Sequence, residues 1–212
     1  MPVEMQTLER LRERRPLFVF DLDSTVTRCE LLPLLAEAVG IGREMAALTE
    51  RAMLGKASFA EDFPRRAALL SSIPLSRARD IVAFAPVNVE IVRFLKENAQ
   101  RCLIMTGNLD LWIETLIRRI GMEGRCLCSH GVEAGDRLKG VASVLDKAAE
   151  ACRIPHPFVA IGDGSNDVGL MRAADLSIGF AGVREIAQMV RDAADMVTDD
   201  ERELCDILRR LL

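Results

Sequence analysis

A short stretch near the start of the chain constrains the fold most: an apolar run at residues 17–20 leads directly into Asp21 and Asp23. The run is rich in Phe and Val, follows a proline and precedes Ser and Thr, so it predicts a buried strand from Leu17 to about Asp21. Two carboxylates at the end of a buried strand are costly unless they share a proton or a cation, which indicates a metal site. The alternative at this point is that these residues cap the next helix.

Composition sets the general class of the protein. The 212 residues suffice for a core domain with an insertion, and 50% hydrophobic with 28% charged residues is typical of a globular protein. A net charge of -4 gives no case for a nucleic-acid partner, and no apolar run approaches the roughly 20 residues that span a bilayer. The first fifteen residues lack a signal-peptide core, and the six cysteines are scattered. We therefore expect a cytoplasmic protein with reduced thiols, bound to neither membrane nor nucleic acid. The sequence does not decide between a monomer and a homodimer.

Residues 27–84 show only helical patterns. Helices are predicted over 30–39, over 43–53, from 58 onward and over 76–84, and Pro64 is expected to bend the third helix or to shift its start. We interpret 27–84 as a helical cap domain inserted after the first strand, with 1–26 and 85–212 forming the core. Thr27 and the Ala85–Pro86 region are the expected hinges.

From residue 86 onward, strands and helices alternate. Strands are predicted at 102–105, 126–129, 158–161, 176–178 and 196–198, and helices at 89–98, 109–120, 138–153, 168–174, 183–191 and 201–211. This alternation predicts an α/β fold, a Rossmann-like mostly parallel sheet with helices on both faces. Ligands of such sheets bind beyond the carboxyl ends of the strands.

Polar residues follow several of these predicted strands. Besides Asp21 and Asp23, they are Thr106, Gly107 and Asn108 after the second strand and Asp163, Asn166 and Asp167 after a later one. Carboxylates and backbone oxygens at one edge suit Mg²⁺. A hydroxyl, a backbone amide at a helix start and the ammonium of Lys139 are donors for an anion. A metal, a carboxylate and an anion site together indicate phosphoryl transfer.

Four ordered segments now resemble the motifs of the haloacid dehalogenase superfamily. They are Asp21-Leu-Asp23-Ser-Thr, then Thr106-Gly107, then Lys139, and then Gly162-Asp163-Gly-Ser-Asn166-Asp167. Within that superfamily the inserted helices are similar to the cap of the phosphoserine phosphatases, through Glu30, the segment from Arg51 to Phe59 that includes Met53, and Arg66. The resemblance covers the chain from Leu17 onward and leaves the role of the first sixteen residues open.

The resemblance implies a role for each matching residue. Asp21 would be the nucleophile that becomes an aspartyl phosphate, and Asp23 would protonate the leaving oxygen and then accept a proton from water. Mg²⁺ would be held by Asp21, the Asp23 carbonyl and Asp163, with Asp167 orienting that shell. The phosphoryl oxygens would be bound by Thr106, Gly107, Lys139 and Asn166.

The same resemblance implies that the cap selects the substrate. Glu30 would bind an ammonium group, Arg66 a carboxylate, and Met53 and Phe59 would close the apolar side. Without the resemblance, Glu30 is as well explained by a favourable first-turn position, Arg66 by a solvated pair with Arg65, and the two apolar residues by cap packing.

The implied function is Mg²⁺-dependent hydrolysis of O-phospho-L-serine, the last step of serine synthesis. Two alternatives remain: hydrolysis of another small phosphorylated metabolite, and a binding module without turnover. The sequence departs from the family pattern at Thr106, where Ser is usual, and at Asn108, where a second Gly is usual. In addition, Pro64 precedes Arg66 in a predicted helix, and the segment between Met122 and Lys139 looks short.

Overall fold

The computed structural model describes residues 5–53 and 58–212. Its centre is a seven-stranded sheet in the order β4-β3-β2-β1-β5-β6-β7. The strands are β1 (Leu17–Phe20), β2 (Cys102–Leu109), β3 (Cys126–Glu133), β4 (Leu138–Ser143), β5 (Phe158–Gly162), β6 (Leu176–Phe180) and β7 (Met196–Thr198).

Six of the strands run parallel, and only β4 is antiparallel to its neighbour β3. The first strand lies in the middle, where Phe20 is in register with Ile104 of β2 and with Ile161 of β5. The strand order changes direction at β1, so the carboxyl ends of β1, β2 and β5 border one crevice. The predicted α/β class and mostly parallel sheet are confirmed.

Eleven α-helices surround the sheet in the described residues. They are α1 (Met5–Glu13), α2 (Leu31–Glu37), α3 (Gly42–Met53), α4 (Phe59–Leu69), α5 (Leu75–Ala83), α6 (Val89–Glu97), α7 (Asp110–Arg119), α8 (Lys147–Ala151), α9 (Val168–Ala173), α10 (Gln188–Ala193) and α11 (Glu201–Arg209). Four of these, α2 to α5, lie between β1 and α6 with no strand among their described residues. That arrangement is what the helical pattern of the sequence predicts, and the cap boundaries 27–84 stay a prediction. The α4 helix begins at Phe59 and continues through Pro64, so the proline does not shift its start.

The predicted helix over 138–153 is wrong. Residues 138–143 form β4, which pairs with β3 as a hairpin, and the helix that follows spans only Lys147–Ala151. Two physical features hid this hairpin. The loop at 134–137, with φ of 58° at Gly135, is longer than the two-residue turns that give the strongest hairpin signal, and α8 is too short to show a helical period.

The sheet carries a hydrophobic core on each face. Phe18 and Phe20 pack on Phe94 of α6 on one face, with the Phe18 and Phe94 rings edge to face at 5.3 Å. Val19 faces the other side, among Met105, Phe158 and the apolar residues of α8, α9 and α10. Alternate residues of β1 therefore enter opposite cores, which explains why the strand is apolar throughout. In the described residues, no helix is long and apolar enough to cross a membrane.

Two chain segments connect the helices α2 to α5 to the sheet, and they lie side by side. Thr27 and Val87 form an antiparallel bridge, flanked by backbone hydrogen bonds from Arg28 to Pro86 (2.8 Å) and from Asn88 to Val26 (2.9 Å). The buried Asn88 side chain also donates to the carbonyl of Thr25 (2.7 Å). The two predicted hinge segments are thus hydrogen-bonded to each other next to the end of β1.

We predict that Asn88→Ala lowers the free energy of unfolding by about 1–3 kcal/mol, because it leaves the carbonyl of Thr25 without its side-chain donor in a buried position. Urea denaturation measures the change. Asn98→Ala is the matched control, since the Asn98 amide donates only to Phe94 within its own half-buried helix end and should cost less. Equal losses for both variants would contradict a special role of Asn88 at the connection.

Candidate active site

Asp21 lies at the end of β1 and is buried beside a lysine of α8. The Lys147 ammonium contacts the carboxylates of Asp21 and Asp167, the latter at 2.6 Å. Burial raises the pKa of Asp21 well above its ordinary value, and the Lys147 charge opposes that shift. Burial lowers the pKa of Lys147, but the two carboxylates outweigh it and hold the pKa above that of an ordinary lysine. Lys147 is therefore a positively charged group held in contact with the Asp21 carboxylate.

The loop after β5 adds two more carboxylates. Asp167 accepts hydrogen bonds from the amides of Asp163 (3.1 Å) and Gly164 (2.9 Å), so its position is fixed by the loop's own backbone. A side chain at Gly162 would collide with Asp167, which explains the glycine there. Asp163 accepts from Thr25 (3.2 Å) and from Arg184, and burial raises its pKa to about 7 against the effect of Arg184.

The carboxylates of Asp21, Asp163 and Asp167 have the arrangement that a cation needs. One oxygen from each lies within 4.8 Å of the others, and all three residues are buried. Burial raises the pKa values of Asp21 and Asp163, and oxygen-only donors suit a hard divalent cation. The residues present therefore fit the metal that the resemblance implies.

Asp23 lies in the turn that follows Asp21, with its side chain between the sheet and α2. Its carboxylate accepts from the amide of Leu31 (2.8 Å) and from the side chain of Asn108, and Thr106 Oγ1 lies at 3.5 Å. Burial raises the pKa of Asp23 to about 6, although the donors from Leu31 and Asn108 act in the opposite direction. A carboxyl of this pKa exchanges protons near neutrality, as the predicted acid–base role requires.

Thr106, Gly107 and Asn108 lie within the last part of β2, which runs further than predicted. The pairing of β2 with β3 is irregular between Met105 and Leu109, so this segment leaves the regular ladder next to Asp23. Ser129 of β3 donates to the Gly107 carbonyl at 2.7 Å, and the Phe59 ring occupies the space where a side chain of residue 107 would be. Glycine at 107 thus allows α4 to pack directly on the end of β2.

Glu30 is joined to the site by two contacts. Ser24 donates to it at 2.8 Å, and a nitrogen of Arg184 lies 3.4 Å from the same oxygen. Ser24 adopts the left-handed region with φ of 54°, which turns the chain back toward Glu30 and is unusual for a residue with a side chain. Burial raises the pKa of Glu30 to about 7, and the charge of Asp23 adds to that shift.

Arg66 is the buried cation contributed by α4. Its side chain donates once, to Thr49 at 3.2 Å, and lies 5.5 and 6.0 Å from the ring centres of Phe59 and Phe63. Two further nitrogens, Nε and Nη2, are buried without a hydrogen-bond partner among residues 5–53 and 58–212. Burial lowers the pKa of Arg66, and the charges of Asp62, Glu30 and Asp23 oppose that shift. Among the described residues, no carboxylate forms an ion pair with this guanidinium.

These groups border a very small cavity. Its volume is about 20 Å³, close to the space of one water molecule, and its lining combines core and cap residues: Asp21, Asp23, Glu30, Leu32, Thr49, Phe59, Phe63, Arg66, Gly107, Asn108 and Asn166. Asn108 and Asn166 each have a buried side-chain oxygen that accepts no hydrogen bond from the part of the chain that the structure describes. An amino-acid phosphate contains several times as many atoms as a water, so the described arrangement is a closed one that must open to admit such a molecule.

The prediction for Lys139 is wrong. It lies on β4, three strands away from β1 in the sheet, is exposed, and lines a different groove with Pro64 and Ala67. Lys147 takes the place that Lys139 was expected to hold. The segment from Met122 to the site lysine therefore ends at Lys147 and is eight residues longer than the sequence suggested. The hairpin of β3 and β4 lies within it. Asp146, which caps α8 through the amides of Ala148 and Ala149, is the local signal that could have located Lys147.

The structure brings the other predicted residues together, with one exception. Asp21, Asp23, Glu30, Phe59, Arg66, Gly107 and Asn166 line one cavity, and Thr106, Asp163 and Asp167 lie directly behind it. The side chain of Met53 lies outside the described residues. Sequence reasoning missed Thr49 and Arg184, because an isolated Thr on a helix or an isolated Arg in a loop carries no pattern of its own. It gave no role to Thr25, although that residue belongs to the first motif.

Comparison with known proteins agrees with this geometry. Residues 18–172 match the family of haloacid dehalogenase-like hydrolases. The chain is 30% identical to the phosphoserine phosphatase of Halobacterium salinarum over 77% of its own length and 84% of the relative. It is 30% identical to that of Archaeoglobus fulgidus over 92% of its own length, which is 60% of the relative.

A solved structure of a phospho-aspartyl intermediate analogue of phosphoserine phosphatase shares the fold. Its TM-score is 0.78 at 22% identity, and the match covers 91% of this chain and 98% of that one. Family match, curated relatives and fold agree with the ordered motifs and with the carboxylates at the end of β1. The chain therefore belongs to the haloacid dehalogenase-like hydrolases, and within them it is related to the phosphoserine phosphatases.

Proposed function

We propose that the protein is a Mg²⁺-dependent phosphatase that hydrolyses O-phospho-L-serine through an aspartyl phosphate at Asp21. The choice of this substrate rests on one observation: the oppositely charged side chains of Arg66 and Glu30 border the same cavity. Arg66 presents two unpartnered buried nitrogens there, and Glu30 supplies a carboxylate. A molecule with a carboxylate, an ammonium and a phosphate would satisfy Arg66, Glu30 and the centre around Asp21 at once.

The named relatives support the same substrate. The chain spans only 60% of the Archaeoglobus fulgidus protein but 84% of the Halobacterium salinarum protein, and both are phosphoserine phosphatases. The family match over residues 18–172 contains the centre around Asp21 and the helices α2 to α5. A role in serine biosynthesis follows from this substrate, and a cytoplasmic location stays a prediction.

The metal would be held by the Asp21 carboxylate, the Asp23 carbonyl and Asp163, with Asp167 positioning the group from behind. Bound there, Mg²⁺ would offset phosphoryl charge next to the carboxylates. Asp167 suits a supporting role because both of its oxygens already accept hydrogen bonds, from Lys147 and from backbone amides.

The chain's own residues would carry out two half-reactions. In the first, an Asp21 oxygen bonds to phosphorus while the bond from phosphorus to the serine oxygen breaks, and protonated Asp23 gives its proton to that oxygen. In the second, Asp23 takes a proton from water as the water oxygen attacks phosphorus, which releases phosphate and restores Asp21. The pKa of Asp23 near 6 allows both roles in one cycle.

The phosphoryl oxygens would be bound by the Thr106 hydroxyl, the Gly107 amide, the Asn166 side chain and Lys147 in place of Lys139. Asp21 and Asp167 already hold the Lys147 ammonium in place. Its side chain therefore does not have to rearrange when negative charge develops on the phosphoryl group. Phe59, stacked on Phe63 at 5.3 Å and packed against Gly107, would exclude water from the reacting atoms.

A substrate panel tests the proposed specificity. We predict that Arg66→Ala and Glu30→Gln each lower kcat/KM for O-phospho-L-serine by at least about a hundredfold, because each removes the partner of a buried substrate charge. The same variants should change the hydrolysis of p-nitrophenyl phosphate little, since it has neither charge. Arg65→Ala is the matched control for Arg66: it is the exposed neighbour on α4.

Two outcomes would contradict the proposal. If the unmodified protein turns over phosphoserine no better than p-nitrophenyl phosphate, the substrate is a different one. If Arg66→Ala and Glu30→Gln reduce both activities equally, these residues support the fold and do not recognise the substrate.

The two lysines provide a second test. We predict that Lys147→Met lowers kcat for any phosphomonoester by roughly 10²–10³, because a fixed cation beside Asp21 and the phosphoryl group is lost. Lys139→Met should leave kcat unchanged, since Lys139 is exposed on β4. Phosphate release under saturating Mg²⁺ measures both. A strong loss in the Lys139 variant, with an active Lys147 variant, would restore the assignment made from the motif order.

Another small phosphomonoester is the second candidate substrate. Asn108 favours it, because its side chain fills a position where the family usually has glycine and presents an unpartnered oxygen to the cavity. A substrate with an extra donor, such as a hydroxyl, would satisfy that oxygen. The panel therefore includes phosphorylated amino alcohols and hydroxy acids, and a better rate with one of them than with phosphoserine would select this alternative.

A further inference from the structure

Arg184 is a cation at the site that the reaction described above does not use. It lies in the loop between β6 and α10, and its Nε and Nη2 approach one oxygen of Asp163 at 2.8 and 2.6 Å. The same Nη2 lies 3.4 Å from Glu30. One guanidinium therefore joins a carboxylate of the cation cluster to the carboxylate proposed for the substrate ammonium.

Both carboxylates need a positive partner when no ligand is bound. Asp163 is buried and Glu30 largely so, and uncompensated buried charge is costly. In the described protein Arg184 is the basic side chain that reaches both. It thus stands at the same two carboxylates that the divalent cation and the substrate ammonium would occupy in the working enzyme.

The Arg184 side chain is partly exposed and borders an open cavity. Its side chain is 26% exposed, in contrast to 2% for Lys147, so it is not enclosed by the core. A second cavity of about 420 Å³ borders Arg184 and Glu30, and it is also lined by Glu50 of α3 and by Glu185. A guanidinium that leaves Asp163 and Glu30 would meet carboxylates in open space there.

We propose that Arg184 is a positioning residue that couples cation binding to recognition of the substrate amine. It holds Asp163 and Glu30 when the site is empty and turns out toward Glu50 and Glu185 when cations bind. A cation at Asp163 repels Arg184 and thereby frees Glu30, and an ammonium at Glu30 loosens Arg184 at Asp163. Each therefore favours the other, as the reciprocity of linked binding requires. The amine part of the proposal rests on the proposed function.

The first test needs no substrate. We predict that Arg184→Gln binds Mg²⁺ about three- to tenfold more tightly in calorimetric titration, because a competing positive charge at Asp163 is removed. Arg184→Lys keeps the charge and should bind Mg²⁺ like the parent protein. Arg172→Gln is the control for net charge, since Arg172 is exposed on α9. The melting temperature of the metal-free variants verifies folding, and Arg184→Gln should melt lower than the parent.

The second test measures the coupling. In the parent protein, raising Mg²⁺ should lower KM for phosphoserine more than KM for the same phosphomonoester without its amino group. In Arg184→Gln the two KM values should respond equally.

Unchanged or weaker Mg²⁺ binding by Arg184→Gln would overturn the proposal, because Arg184 would then support Asp163 as a metal ligand. A KM increase for both substrates would also overturn it, by making Arg184 a direct substrate ligand. If phosphoserine is not a substrate, the calorimetric titration still tests whether Arg184 competes with Mg²⁺ at Asp163, because it uses no substrate.

Discussion

The buried contact of Lys147 with Asp21 and Asp167 is the interaction on which the rest of the site depends. Without this cation, the carboxylates at the ends of β1 and β5 would repel one another in a space from which water is excluded. Lys147 comes from a helix on one side of the sheet, and Asp167 is fixed by the backbone of its own loop. The contact therefore joins three separate parts of the chain at one point.

The sheet topology explains why that point is a reaction centre. Placing β1 in the middle brings Asp21 between β2, which carries the Thr106 segment, and β5, which carries Asp163 and Asp167. The helices α2 to α5 follow β1 after a turn of about ten residues and return above the same crevice. Arg66 and Glu30 thus border the cavity that contains Asp21, and the nearly closed cavity places recognition and chemistry in contact.

Much of this could be predicted from the sequence because the informative signals are local. An apolar strand that ends in carboxylates, helix stops at glycines and the regular alternation after residue 86 predict the parallel sheet and the inserted helices. The cap residues of the cavity were implied only by the resemblance to the phosphoserine phosphatases. The failures have two physical causes: short elements show no period, and long-range contacts leave no local pattern. Lys147 sits at the start of a five-residue helix, and Arg184 in a loop is distinguished only by the carboxylates it meets in the folded chain. Lys139, by contrast, matched the motif order and lies on an exposed strand.

The central claim is that phosphoserine transfers its phosphoryl group to Asp21. Rapid acid quench of the protein mixed with Mg²⁺ and O-phospho-L-serine, followed by peptic digestion and mass spectrometry, measures this most directly. We expect a transient phosphoryl group on Asp21 in the peptide containing residues 17–27, and none in Asp21→Asn treated in the same way. Phosphate release from phosphoserine without any phosphorylated peptide, or with the phosphoryl group on another residue, would contradict it.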